Sequence, residues 1–272
     1  MKGEIEVIYQ DKYLLVVNKP AGFVVQGALN KEESLLFKLK DYIKRQENKQ
    51  GKIFLAVVHR LDKPVSGVCL LAKRSKCASK LYKLLQEDKW SKVYLAKVEG
   101  SMKGDPFGLW EDYLIRESSK KGVKLIPYSK TEAKRALTFY MILERKRDST
   151  LLLLSPLTGR KHQLRVVLSA RGYPILGDSL YGARSVIQGG KAILLHALYL
   201  TLPHPYTQEK LELWAESPSY FKENPLDKKV ILEFLNRVNI WRVRLENVSS
   251  KDLGKGSQRR KGNCKGYHPV RS

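Results

Sequence analysis

Asp62 stands in the run His59-Arg60-Leu61-Asp62, with Arg60 two residues before it and Lys63 directly after it. The apolar run Ile53-Phe54-Leu55-Ala56-Val57-Val58 precedes this segment, and Ser66-Gly67-Val68-Cys69-Leu70-Leu71 follows it. Both runs read as buried strands, and Pro64 and Gly67 punctuate the loop between them. An acid at a strand end, held in a loop between cations, is placed as a reactive group. Carboxylates attack electron-poor carbons and form covalent intermediates. The anomeric carbon of a sugar and an activated pyrimidine ring are natural targets. Far downstream, Leu157-Thr158-Gly159-Arg160-Lys161-His162-Gln163-Leu164-Arg165 can supply a cationic partner. An opposite charge within about 4–6 Å favours the ionised form of a carboxylate. Taken alone, these residues leave a plainer reading open, a loop aspartate paired with a surface lysine.

The scaffold for such a group has 272 residues, enough for one large domain or two small ones, and at 43% hydrophobic it can bury a substantial core. Lys and Arg number 51 against 27 Asp and Glu, a net charge of +24. Solubility of a small domain needs only about 2 to 8 charges. An excess of this size draws polyanions by its long-range field, and nucleic acid is the expected one. A membrane-surface role is disfavoured, because no long amphipathic segment has a clean basic face.

Cys69, Cys77 and Cys264 have neither disulfide-framework nor zinc-type spacing, which fits a reducing compartment. The N-terminus carries acids where a signal peptide has its apolar core, and the apolar stretch from Ala192 to Leu202 is too short to span a bilayer. The expectation is a soluble, cytoplasmic protein. Neither a GxxxxGK[ST] loop nor a GxGxxG is present, so no nucleotide cofactor is expected. The five histidines, at 59, 162, 196, 204 and 268, lack local ligand spacing, so no metal is expected from His59, Asp62, His162 and His196. Ser66 lacks the flanking pattern of a nucleophile elbow.

Strand-like pieces are expected at Ile5 to Tyr9, Leu14 to Asn18 and Phe23 to Gln26, with Lys19-Pro20-Ala21-Gly22 as a turn. Leu35, Leu36, Leu39 and Ile43 have helical spacing within Ser34 to Arg45, and Ser75 reads as the N-cap of a helix carrying Ala78, Leu81, Tyr82 and Leu85. Lys92 to Gly100 alternates as a strand. The polar region Ser101 to Lys130 predicts hairpins and loops, and Arg135 to Glu144 with Thr150 to Ser155 predicts a strand pair. A helix over 161–171, a strand from Ile193 to Leu202 and a last helix capped by Asp227 follow. From about Glu246 the apolar pattern stops, which predicts a folded unit over 1–245 and a basic, disordered tail over 246–272. Strand runs with separated helices argue an α+β fold rather than regular βαβ winding.

His59-Arg60-Leu61-Asp62-Lys63-Pro64-Val65-Ser66-Gly67 resembles the HRLDxxTSG signature of the RluA-type pseudouridine synthases. Asn18 to Val25 resembles the family's first motif, Lys92 to Gly100 its KxYxAxVxG segment, and Thr158 to Arg165 its TGRxHQIR segment. Gly172 to Asp178, Tyr181-Gly182, Leu195-His196-Ala197 and His204-Pro205 continue the match, in order, from about Glu6 to Leu213.

The resemblance implies a catalytic domain with a central mixed, largely antiparallel sheet flanked by helices, a catalytic cleft, and isomerisation of uridine to pseudouridine in structured RNA, rRNA or tRNA, by a monomer without cofactor. It makes Asp62 the nucleophile or the stabiliser of the cleaved sugar, Arg165 its partner, and Tyr94 the ring that packs on uracil and handles a proton. Arg60 then fills the gap left by the flipped nucleotide, Arg160 contacts RNA, and Leu195 lines the base pocket. The same resemblance leaves His162 and Gln163 to brace their loop, and His59 and His196 as structural. These roles also make independent sense, because a base inside a helix must be extruded before chemistry can reach it, an aromatic face suits an unstacked base, and a guanidinium can stack in the vacancy.

Two departures stand beside these motifs: Val65 where Thr is usual and Val167 where many relatives have His. The small S4-type RNA-binding domain that many relatives carry is not expected before Glu4, so RNA capture is expected to fall to the basic face and the tail. Two other functions remain open at this point: an RNA-binding factor that has lost the chemistry, and a glycosylase that uses Asp62 to release free base.

Overall fold

The computed structural model describes residues 5–27, 34–48, 50–116, 123–125 and 132–253. In chain order the elements are β1 (Glu6–Gln10), β2 (Leu14–Lys19), α1 (Leu35–Gln46), β3 (Ala56–Val57), β4 (Ser66–Ala72), α2 (Ser75–Gln86), β5 (Ser91–Glu99), β6 (Phe107–Arg116), β7 (Val123–Leu125), β8 (Lys134–Arg145), β9 (Ser149–Pro156), α3 (Gln163–Ala170), β10 (Leu195–Pro203), β11 (Lys210–Trp214) and α4 (Lys228–Leu253). The strands form one sheet in the order β1-β2-β4-β10-β5-β9-β8-β6-β7, with β11 added to β10 and β3 to β4. Only the β4–β10 pairing is parallel among the pairings described. The fold is α+β with a mixed, largely antiparallel sheet, as the sequence led us to expect.

Alternation along β2 and β4 explains the layering. Leu14, Val16, Val68 and Leu70 point to one face and pack with Cys77, Ala78 and Leu81 of α2. Leu15, Val17, Cys69 and Leu71 point to the other and pack with Leu35, Leu39 and Ile43 of α1. Side chains of a strand alternate between faces, so a strand apolar at every position must be covered on both sides. Each leucine removed from water in this way contributes about 1.5–3 kcal/mol. Ser34 starts α1, its Oγ accepting from the Phe37 amide at 3.2 Å. Asp227 starts α4 through an acceptor bond from the Lys229 amide at 2.8 Å.

Some expected elements differ. Phe23 to Gln26 is not a strand: the Val24 and Val25 carbonyls accept from the Leu35 and Leu36 amides, at 2.9 and 3.0 Å, and so serve the open end of α1 instead of a ladder. Of the run Ile53 to Val58 only Ala56–Val57 pairs, and Phe54 is 48% exposed. Arg74, not Ser75, holds the N-cap position of α2. Strand β11, which closes a hairpin with β10, has no counterpart among the elements expected from the sequence.

The chain divides into two compact units, Met1–Leu235 and Asn236–Ser272. The position near Glu246 where the apolar pattern stops falls inside α4, which continues to Leu253. The remainder of the expected tail, 254–272, lies outside the described residues.

Candidate active site

The parallel contact between β4 and β10 positions the Asp62 loop. Gly67 adopts φ +114°, and a Cβ there would stand 2.3 Å from the Ala197 carbonyl oxygen. Only glycine allows β4 to start so close against β10. The loop that enters β4 therefore lies beside β10, and β10 in turn pairs with β5, where Ala197 faces Tyr94. On the far side of β5 is β9, whose end at Pro156 leads into the Thr158-Gly159-Arg160 loop and α3.

The Asp62 loop is tied down on several sides. The Val65 amide donates to the Asp62 carbonyl at 3.1 Å, the Ile193 amide to that of Pro64 at 3.1 Å, and the Gly22 amide to that of Lys63 at 2.8 Å. Lys19 is fully buried, and its Nζ donates to the carbonyls of Pro20, Phe23 and Lys63 at 3.0, 3.0 and 3.3 Å. Burial pulls the Lys19 pKa down to about 8 against the opposing pull of Cys69 and Asp62. The Lys19-Pro20-Ala21-Gly22 turn thus buttresses the backbone immediately after Asp62.

Arg165, on α3, reaches Asp62 from the opposite wall. Its Nη1 donates to Asp62 Oδ2 at 3.1 Å. Its Nε and Nη2 donate to Asp178 Oδ2 and Oδ1, both at 2.7 Å, a two-point clamp in the buried interior. Burial works against the Arg165 charge, but the bonds and charge of Asp178 and the charge of Asp62 outweigh it and raise the pKa above its ordinary value. The Asp62 side chain is 31% exposed, so it faces both the guanidinium and the open cleft.

His162 precedes α3 with φ 54°, a left-handed conformation. Its Nδ1 lies 2.9 Å from the Tyr181 hydroxyl and its Nε2 3.6 Å from Asp62 Oδ2. Burial lowers its pKa, Asp62 opposes the shift, and Arg165 and Lys161 add to it. Gln163 braces the same loop: Oε1 accepts from Thr158 Oγ1 at 2.8 Å and the Arg160 amide at 3.1 Å, while Nε2 donates to the Leu137 carbonyl at 3.0 Å and Thr138 Oγ1 at 2.9 Å. The bracing hydrogen bonds expected of His162 and Gln163 are present.

A cleft of about 830 Å³ joins these walls, and Arg60, Asp62, Tyr94, Arg160, Arg165 and Leu195 all line it. Tyr94 is half-buried on β5. Burial, then the charges of Asp62 and Cys69, push its hydroxyl pKa well above the ordinary tyrosine value. Leu195 is 3% exposed and forms part of the apolar floor. Arg60 and Arg160 are exposed at the rim, and Arg160 Nε is anchored on the Arg135 carbonyl at 2.9 Å. Val65 also lines the cleft, whereas Val167 belongs to an apolar cluster with Leu114, Ala136 and Val166.

His59 lines the cleft beside Arg60, and His196 is buried beneath it. His196 Nδ1 meets Ser66 Oγ at 2.9 Å and Nε2 the Ala215 carbonyl at 3.0 Å, so Nε2 carries the proton. Burial takes both imidazole pKa values down to about 4, with Lys92 adding to the shift at His59.

Sequence reasoning did not single out Asp178 or Tyr181 as members of the site, although both lie in segments it quoted. Tyr181 meets His162 at one side and accepts from the Val123 amide, at 3.0 Å, at the other, and its ring lies 5.0 Å from the Arg165 guanidinium carbon. The arrangement can hold a negative charge against a fixed cation beside an apolar floor and a protonated phenol, which suits attack on an electron-poor carbon of a planar ring or its sugar.

Residues 13–170 match the family of RNA pseudouridylate synthases. A protein of Buchnera aphidicola subsp. Schizaphis graminum named ribosomal large subunit pseudouridine synthase C is 34% identical over 224 residues, 79% of this chain and 68% of that one. One of the same name from Rickettsia bellii is 34% identical over 216 residues, 79% of this chain and 69% of its own. The solved structure of human RNA pseudouridylate synthase domain containing 4 superposes with a TM-score of 0.66 at 28% identity, over 80% of this chain and 90% of that one. Human RNA pseudouridylate synthase domain containing 1, at 24% identity and a TM-score of 0.67, covers 86% of this chain and 95% of its own and shares the fold. With the matched span carrying Asp62, Tyr94 and Arg165, the chain belongs to the RNA pseudouridylate synthase family, the isomerases that convert uridine in RNA to pseudouridine.

Proposed function

We propose that this protein isomerises defined uridines of structured ribosomal RNA, with Asp62 as the group that acts on the sugar. The relatives named for the large ribosomal subunit support rRNA over tRNA as the substrate. In this reading the target nucleotide swings out of its stack into the cleft, and Arg60 takes the vacated place. The N1–C1′ bond breaks with Asp62 as nucleophile or as stabiliser of the electron-poor C1′. The base turns, C5 joins C1′, and the proton lost from C5 is matched by one gained at N1, so no cofactor is consumed. Tyr94 stacks on the uracil and handles that proton, Leu195 supports the ring, Arg160 meets a phosphate, and Arg165 holds Asp62 in its charged, oriented form. The enzyme works as a monomer in the cytoplasm.

The observation that carries this reading is the 3.1 Å contact between Arg165 Nη1 and Asp62 Oδ2 at the wall of an open cleft. The test is incubation of purified protein with rRNA and tRNA transcripts, without added metal or nucleotide, followed by pseudouridine mapping. Pseudouridine at defined rRNA sites is the expected product. Release of free uracil would instead indicate a glycosylase, and tight binding without product a factor that has lost the chemistry.

A further inference from the structure

Phe54 stands at the start of the apolar run that leads to Asp62, yet its ring is 48% exposed. It lines a second recess, of about 470 Å³, whose apolar wall includes Ile43 and Ile53. The polar lining consists of Lys12, Lys52, Lys73, Arg74 and one acid, Glu47. Lys73 Nζ donates to Glu47 Oε1 at 2.9 Å, and the lining as a whole carries the four cations Lys12, Lys52, Lys73 and Arg74 against that one acid. An aromatic face beside an excess of positive charge is how proteins hold single-stranded nucleic acid: the base stacks on the ring and the phosphate meets the cations. An acidic peptide would use the charge and leave the planar face idle.

The recess and the catalytic cleft share two elements. The segment 53–62 runs from Phe54 in the recess to Arg60 and Asp62 in the cleft, and α2 runs from Arg74 at its N-cap to Tyr82 and Leu85 in the cleft wall. At about 1.5 Å per helical residue, Arg74 and Leu85 lie roughly 16 Å apart, a span that a few unpaired nucleotides cover. Tyr82, 45% exposed with its hydroxyl on the Val57 carbonyl at 3.0 Å, offers another ring beside segment 53–62.

We propose that this recess is a second RNA subsite. It holds an unpaired nucleotide on the strand that carries the target uridine, with the base on Phe54 and the phosphate among Lys12, Lys52 and Arg74. The proposal rests on RNA being the substrate and deepens that reading by adding an unpaired flank to what the enzyme recognises.

The test uses the full chain and two fluorescein-labelled probes, a uridine trinucleotide and a uridine dodecanucleotide, with binding followed by anisotropy. Phe54→Ala is expected to weaken the dodecanucleotide about fivefold or more, as removal of one stacked base would, and to leave the trinucleotide unchanged. Phe54→Trp should restore binding. Lys52→Ala with Arg74→Ala should weaken the longer probe and flatten its salt dependence, by about 0.7 in log–log slope for each phosphate that is no longer neutralised. Independently of any variant's stability, a dodecanucleotide carrying 4-thiouridine should crosslink on irradiation to peptides around Phe54 in the unaltered protein. Unchanged dodecanucleotide affinity in Phe54→Ala would overturn the subsite, as would weakening in the lysine–arginine variant alone, which is diffuse charge attraction. Crosslinks confined to cleft peptides would overturn it too. Failure of the subsite is separable from failure of the catalytic reading: pseudouridine formation with Phe54-independent binding sinks the subsite alone, and Phe54-dependent binding without pseudouridine sinks the catalytic reading alone.

Discussion

Asp178 grips Arg165 with both carboxylate oxygens at 2.7 Å and so directs the one remaining terminal nitrogen, Nη1, toward Asp62. Both side chains are almost wholly buried, Asp178 at 1% and Arg165 at 6% exposure. Removing one partner of a buried pair leaves the other charge uncompensated and costs about 3–5 kcal/mol. We expect Asp178→Asn to lower the unfolding free energy by an amount near the low end of that range, because the amide still offers one acceptor. Turnover should fall by roughly 10²-fold, the penalty of a small misplacement at a reacting centre, with RNA affinity preserved. Single-turnover kinetics and urea titration check both. A variant as stable and as active as the parent would show that the clamp does not orient Arg165.

Tyr94 separates a ring contribution from a hydroxyl contribution. On the role proposed for Tyr94, Tyr94→Phe keeps the ring and removes the proton, so binding should persist while kcat drops roughly 10²-fold or more. The pH dependence has a definite sign. Burial and the Asp62 charge raise the hydroxyl pKa above its ordinary 10.0, so the phenol stays protonated throughout the neutral and mildly alkaline range. A kcat profile with an alkaline limb below about pH 10 that vanishes in Tyr94→Phe would contradict this.

His59 and His196 make stability depend on acid. Both have pKa values lowered to about 4 in the folded protein, from an ordinary 6.5. The unfolded chain therefore binds more protons between those limits, and stability rises with pH there. It is fully present above about 6.5 and lost as pH falls toward 4. At about pH 5 each imidazole costs about 2 kcal/mol by this linkage. Urea midpoints at neutral pH and at about pH 5 measure it. His196→Gln should flatten the slope even if it lowers stability at neutral pH. An equal or higher midpoint at the acid pH in the parent protein would contradict the burial of these rings as neutral groups.

How far the sequence could be read follows from the physics of each part. Leu35, Leu39 and Ile43 repeat at helical spacing and do form the buried stripe of α1, because periodicity is a local property. The Asp62 loop was legible because an acid between cations, with Gly67 after it, is a dense pattern between two apolar runs. Asp178 was not: its partner is 13 residues away across the turns at Gly172 and Gly177, and no spacing announces such a contact. Phe23 to Gln26 failed as a strand because its carbonyls serve the end of α1, a tertiary use of backbone groups that alternation cannot reveal. The exposed ring of Phe54 was hidden for the converse reason, since an apolar run predicts burial even where only Ala56–Val57 pairs. The position of Lys19 beneath the Asp62 loop likewise required the fold.

The most direct measurement is pseudouridine formation by Asp62→Asn, an isosteric change that keeps a hydrogen-bond acceptor for Arg165 and removes the anionic oxygen. With an rRNA transcript modified by the parent protein, we expect the variant to bind the RNA with comparable affinity and to form no pseudouridine in a single-turnover assay. Pseudouridine formed by Asp62→Asn at the parental rate would contradict the assignment of the chemistry to this carboxylate.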